Sequence, residues 1–236
     1  MRQIIFDTET TGFKPENGDR VVEIGAIEML NGAITGNHFH VYINPERDMP
    51  EGAYKVHGLS AEFLADKPVF SDPRIGAAFH AFIKDAVLIA HNADFDMKFM
   101  QFEMEKAGLA PIENEVIDSL QIARRKFPGS PASLDALCSR FGINTAERER
   151  DGHGALLDSR LLAEVYIELT GGRQAGLDLA PGGMASGNEA LQQETPQRQK
   201  PLKSLLQAEE LAAHEKFIAE MDNAIWASRH GGKEKL

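Results

Sequence analysis

The chain has 236 residues, of which 42% are hydrophobic, 7% aromatic and 26% charged, a composition that excludes fibrous, collagen-like and wholly disordered classes and suits one globular domain with appendages. Asp and Glu outnumber Lys and Arg 36 to 25, giving a formal charge of -11 that excludes a free-standing, non-specific coat for nucleic acid. The same carboxylate excess favours hard divalent cations, which take oxygen ligands.

No uncharged apolar run approaches the roughly 18 residues of a membrane span, and Met1-Arg2-Gln3 leads into a strand rather than a signal-peptide core, so a cytoplasmic chain with no membrane partner is expected. Gln3-Ile4-Ile5-Phe6-Asp7-Thr8-Glu9 reads as a short buried strand whose end turns polar. A turn-rich stretch from Gly12 to Asp19 separates it from a strand over residues 21–29, and Asn31-Gly32 joins this to a third over 39–43. Asn-Gly between two apolar runs is a strong hairpin signal, so three antiparallel strands come first.

From about residue 72 the pattern alternates between helix and strand. Ile75, Ala78, Phe79, Phe82 and Ile83 recur at helical spacing, and Val87-Leu88-Ile89-Ala90 is a brief apolar strand. Residues 94–107 read as a helix with Phe95, Phe99, Phe102 and Met104 inward, stopped by Gly108 and Pro111. Val116-Ile117 is another strand, with helices near 119–127, 132–141 and 154–169. A hairpin followed by this alternation predicts an α/β fold with a mixed central sheet over residues 1–170. Cys138, the single cysteine, lies among Leu134, Leu137 and Phe141 and reads as a packed thiol without a role.

Residues 171–200 are rich in Gly, Gln, Ser and Pro and read as a flexible linker. Helical periodicity resumes over 201–236 with Leu205, Leu206, Leu211, Phe217, Ile218, Met221, Ile225 and Trp226, a tail too short for a core of its own.

Asp7 and Glu9, two apart on a strand, share one face about 7 Å apart where the strand meets loop. They are either a solvated strand end or a pair held together by a cation. Asp94 and Asp96 open a helix that follows an apolar strand, and charge at a helix N-terminus explains Asp94. His153 at a loop-to-helix junction and Asp158 one turn into the helix can both face the sheet edge, or be an exposed His beside a surface Asp. Asp118 and Asp135 stand at helix starts and read as caps.

Taken together, Asp7-Thr8-Glu9-Thr10-Thr11-Gly12, Val56-His57-Gly58, His91-Asn92-Ala93-Asp94-Phe95-Asp96 and His153-Gly154-Ala155-Leu156-Leu157-Asp158 resemble, in order and separation, the DEDD exonuclease superfamily in its His-type branch. Within it the likeness is to the 3'-to-5' proofreading exonucleases of bacterial replicative polymerases. Ile117-Asp118-Ser119-Leu120, Phe127-Pro128-Gly129 and Ser133-Leu134-Asp135-Ala136-Leu137-Cys138 agree, and the match spans residues 1 to about 170. Asp94 departs from it, since a small residue is expected beside Asp96.

The resemblance implies an RNase H-like fold in which Asp7, Glu9, Asp96 and Asp158 hold two Mg or Mn ions. Such ions, about 3.5–4 Å apart, stabilise the attacking and leaving oxygens of phosphodiester hydrolysis. Asp7 would bridge them, Glu9 and Asp158 would complete the site of the attacking water, and Asp96 would act mostly through water. His153, with an ordinary pKa of about 6.5, would be the general base. Thr8, Thr10, His57, Asn92 and Phe95 would hold the 3'-terminal nucleotide of single-stranded DNA, with packing an equal reading for His57 and Phe95. Two rivals are an RNA-trimming relative, against which the linker and tail speak, and a non-catalytic adaptor that braces a polymerase, which needs none of the carboxylates.

The resemblance also implies partners. Phe217, Ile218, Met221, Ile225 and Trp226 form an apolar stripe uncovered by its own segment, aimed at the polymerase's catalytic alpha subunit or folded back on the catalytic domain. Gln174-Ala175-Gly176-Leu177-Asp178-Leu179 has the Gln-x-x-Leu-x-Leu spacing of sliding-clamp peptides, with Gln174, Leu177 and Leu179 as contacts, or is an incidental pair of leucines. A small theta-type subunit is a further possible partner.

Overall fold

The computed structural model describes residues 1–171 and 207–220. The strands β1 (Arg2–Thr10), β2 (Val21–Leu30) and β3 (Ala33–Tyr42) come first. After them run α1 (Glu51–His57), α2 (Ala61–Leu64), α3 (Gly76–Ile83), β4 (Val87–Ala90), α4 (Ala93–Lys106), β5 (Val116–Asp118), α5 (Ser119–Lys126), α6 (Leu134–Phe141), α7 (Ala146–Asp151) and α8 (Ala155–Leu169). The five strands form one sheet in the order β3-β2-β1-β4-β5. Pairing is antiparallel among β1, β2 and β3 and parallel from β1 to β4 to β5, the mixed sheet the sequence predicts.

At the β2–β3 turn Asn31 and Gly32 have φ of 51° and 81°, the left-handed pair that lets a two-residue loop follow the twist of its strands. Period-two alternation along β1 then divides the core. Ile4 and Phe6 pack with Ile24, Phe79, Leu88 and Phe99 on the face covered by α3 and α4, while Ile5 packs with Ile89, Leu162 and Tyr166 under α8. Ala123, Leu137 and the fully buried Cys138 join α5 and α6 to Leu161 and Val165 of α8. Lys126 Nζ donates to the last carbonyls of α8, Glu168 at 3.3 Å and Leu169 at 2.9 Å.

Two expectations change. In α4 the inward positions go to Phe99, Met100, Glu103 and Met104, leaving Phe95 and Phe102 half-buried, because Glu103 turns in to meet Arg20. Arg20 Nε and Nη2 donate to the two Glu103 oxygens at 2.7 and 2.8 Å. Asp118 caps α5, its side chain accepting from Leu120 N at 2.9 Å, whereas α6 is capped by Ser133 and Asp135 pairs with Arg148 instead.

The helix α9 (Ala208–Ala219) belongs to a second unit, Leu179–Leu236, distinct from the first, Met1–Asp178. A capping box between Gln207 and Glu210 starts it. Phe217 and Leu211 are exposed on it and Ile218 is half-buried. Met221, Ile225 and Trp226 of the apolar stripe, and Gln174, Leu177 and Leu179, lie outside the described residues.

Candidate active site

Three elements bring the acidic residues to the carboxyl end of β1. The strand presents Asp7 and Glu9 on one face, opposite Gly25 and Glu23 of β2. Parallel pairing of β1 with β4 sets the start of α4 beside them, so the buried Asp96 receives the Thr8 backbone N–H at 3.0 Å and the Thr8 hydroxyl at 2.7 Å on one carboxylate oxygen. Asp158, buried in the first turn of α8, completes the set. Glu9, His153 and Asp158 each offer a ligand atom within 4.8 Å of the others. Asp94 points outward, exposed, as the helix-terminus reading has it.

Four carboxyls crowded with little water cannot all ionise easily. Burial pushes the Asp7 carboxyl well above the usual range, reinforced by Asp96, Glu9, Asp158 and Glu23. Burial raises Glu9 to about 8, with Asp158, Glu23 and Asp96 adding to it and Arg148 opposing. Asp96 rises to about 7 by burial, held back by the Thr8 hydrogen bonds. Asp158 is raised by burial against the pull of Arg148 and His153. This negative charge lacks full compensation by protein cations, which is the electrostatic signature of a cation site.

One cation does enter. Arg148, from α7, places Nη2 at 2.9 Å from Asp158 Oδ2 and 2.7 Å from His153 Nδ1. Its Nε is 2.9 Å from Asp158 Oδ1, an ion pair without hydrogen-bond alignment, so that buried oxygen has no hydrogen-bond donor. An oxygen in that condition, among carboxylates and one imidazole, fits a divalent metal ion.

Beside the carboxylates opens a cavity of about 730 Å³ lined by Thr8, Thr10, His57 and Phe95 together with Glu9, Phe13 and Val56. Four of the five residues expected to hold a nucleotide therefore share one space. Asn92 is the exception: exposed at the N-terminus of α4 with φ 68°, it is absent from the lining, and its backbone N–H donates to Asp118 Oδ1 at 3.0 Å. His57 Nδ1 accepts from Leu59 N at 3.0 Å, which places the ring proton on Nε2, a buried atom with no hydrogen-bond partner. Phe13 is 82% exposed with its ring edge on Phe95 at 6.4 Å.

Sequence reasoning passed over Phe13, Glu23 and Arg148. An apolar residue in the polar turn after Gly12 was a usable signal for Phe13. Glu23 sits in an apolar strand as the register partner of Glu9, which only pairing reveals, and Arg148 lies in a run of alternating charge that points nowhere by itself.

Residues 4–166 match the RNase T exonuclease family. The DNA polymerase III subunit epsilon of Rickettsia felis is 48% identical over 93% of this chain and 96% of its own length. That of Escherichia coli K12 is 42% identical over 91% of this chain and 90% of its own. Among solved structures, exonuclease X in complex with 5' overhanging duplex DNA superposes with a TM-score of 0.56 at 26% identity, over 71% of this chain and 90% of that one. Exonuclease I does so with a TM-score of 0.62 over 72% of this chain and 40% of that one, at 18% identity, a likeness of fold. The match over residues 4–166 and the 48% and 42% identities over nearly whole chains show that the chain belongs to the exonuclease family, in its DNA polymerase III subunit epsilon group.

Proposed function

We propose that this chain is the proofreading 3'-to-5' exodeoxyribonuclease of a bacterial DNA polymerase III, hydrolysing mispaired single-stranded 3' ends to nucleoside 5'-monophosphates. The observation that carries the reading is the convergence of Asp7, Glu9, Asp96 and Asp158, carboxyls raised by burial and, at Asp7 and Glu9, further by their neighbours, beside a cavity of about 730 Å³. Two Mg or Mn ions, when bound, supply Lewis-acid stabilisation of the attacking and leaving oxygens. Asp7 and Glu9 would hold them from β1, Asp158 from α8 and Asp96 from α4, with Thr8 fixing the Asp96 carboxylate through its two hydrogen bonds.

His153 takes the proton of the attacking water at Nδ1, the ring nitrogen 3.3 Å from Asp158 Oδ2. Thr8, Thr10, His57 and Phe95 receive the terminal nucleotide, with His57 Nε2 as a proton donor and the rings of Phe95 and Phe13 against the base, and Asn92 contacts the strand from outside the cavity. Linkage to the alpha subunit runs through Phe217, Ile218, Met221, Ile225 and Trp226 in residues 201–236, and to the sliding clamp through Gln174, Leu177 and Leu179 in the linker 171–200. A small theta-type subunit is a further candidate partner.

Purified full-length protein incubated with a 3'-mismatched DNA primer and with an RNA oligomer, each with Mg, Mn or chelator, tests the reading. Shortening of the DNA from its mismatched 3' end, faster than of the RNA and lost in chelator, is expected. Metal-independent cleavage, or preference for RNA, overturns it.

A further inference from the structure

A single guanidinium in this site touches three functional groups at once. Nε and Nη2 of Arg148 face both oxygens of Asp158 at 2.9 Å, Nη2 also meets His153 Nδ1 at 2.7 Å, and Nη1 pairs with Asp135 on α6. Arginine has donors only, so at that contact His153 Nδ1 is an acceptor, the neutral ring carries its proton on Nε2, and no ring lone pair is left for water. In the same arrangement the 3.3 Å approach of Nδ1 to Asp158 Oδ2 carries no proton between them. A divalent cation on Asp158 would sit a few ångströms from this positive charge and be repelled by it.

The surroundings give that charge somewhere to go. Asp135 is 69% exposed at its side chain and sits on a different helix, so its pair with Arg148 does not depend on Asp158. α7 ends at Asp151, and its C-cap Gly152, with φ 83°, directly precedes His153, so Arg148 and His153 ride on one short segment.

We infer that Arg148 competes with the divalent cation for Asp158 and, by occupying His153 Nδ1, withholds the base until the cation displaces the guanidinium toward Asp135. The inference rests on the assignment of Asp158 as a ligand and His153 as the base. It makes Arg148 a gate that couples arming of the base to filling of the metal site, so that water is not activated before the phosphate-binding charge is in place.

Mn binding to the full-length chain, followed by the loss of the free-ion electron paramagnetic signal, tests it with R148Q, R148K and D158N. R148Q should bind Mn at least about tenfold more tightly than wild type, since a unit charge beside the ion is gone. R148K, which keeps the charge and loses the fork, should gain less. D158N should bind more weakly. Unchanged or weaker binding by R148Q, with D158N weakened, overturns the competition and leaves the site assignment standing; D158N binding as wild type overturns both. A readout that needs no variant is the nitrogen-15 spectrum of the wild-type protein during Mg titration. The Arg148 Nε and His153 Nδ1 resonances should move together as the ion saturates, and an Arg148 Nε resonance that stays fixed at saturation sinks the gate.

Discussion

Gly25 and Leu156 are held so close that a methyl group on Gly25 would lie 2.1 Å from the Leu156 amide nitrogen. Ser159 Oγ donates to the Gly25 carbonyl at 2.9 Å, and Gly25 is the register partner of Asp7, so the first turn of α8 docks on β2 beside the strand that carries the acidic pair. That approach sets Asp158 next to Glu9. Gly25→Ala should push α8 outward at a stability cost of about 1–3 kcal/mol and lower turnover far beyond that cost. Kinetics at a temperature where circular dichroism shows the variant folded would decide; wild-type turnover there would make the close packing irrelevant to catalysis.

Asp7 is placed at the centre of the repulsion, so its charge serves the reaction at the expense of the fold. Asp7→Asn should reduce hydrolysis to background and at the same time raise the melting temperature in chelator. For a domain of this size each kcal/mol relieved is worth about 2–4 °C. A variant with lowered melting temperature would mean that the carboxyl is structurally satisfied without an ion.

In chelator, stability should also depend on pH in a particular direction. Glu9 and Asp96 have ordinary values of 4.5 and 3.8 and folded values of about 8 and about 7. The folded state therefore binds more protons than the unfolded state across that window, and stability falls as pH rises from about 4 to about 8. Saturating Mg should flatten the slope by compensating the carboxylates. Melting temperatures measured across the range with and without Mg would show it, and a chelated protein that gains stability toward pH 8 would contradict the sign.

His153 is replaceable without loss of the ligands. General-base assistance contributes about 10² to 10⁴-fold, so His153→Ala should lose turnover in that range while still binding Mn. An unchanged rate with an unchanged pH profile would reassign the ring to packing.

Arg20 and Glu103 are 83 positions apart and their side chains are 8% and 1% exposed. Glu103 also accepts from Val21 N at 3.2 Å. Glu103→Ala would bury an unpaired guanidinium and should cost about 3–5 kcal/mol, read from chemical denaturation. A loss under about 1 kcal/mol would show that water or Glu46, whose carboxylate is 3.9 Å from Arg20 Nη1, takes over the charge.

The elements legible in the sequence are those whose signal is local. Asn31-Gly32 specifies its own turn through two left-handed residues, and Val87-Leu88-Ile89-Ala90 announces a strand buried on both faces. Asp7, Glu9, Asp96, His153 and Asp158 were found as an ordered set of short motifs, and the chain brings them to one strand end. What stayed hidden depends on pairs distant in sequence. Nothing in Phe102-Glu103 says that the charged residue turns inward, because its reason is Arg20 on another element. Helix α7 has no apolar period, and Arg148 becomes meaningful only once α6 and α8 stand on either side of it. The helices α1 and α2, seven and four residues long, are too short for periodicity to speak.

Lys126 at the far end of α8 has a mechanical consequence. The helix carries Asp158 in its first turn and ends at Leu169, about 16.5 Å further along at 1.5 Å per residue. Both ends of one rigid rod are thus fixed to neighbours, Asp158 at the acidic cluster and Leu169 at α5. By gripping the carbonyls of Glu168 and Leu169, the Lys126 ammonium ties the last turn of α8 to α5.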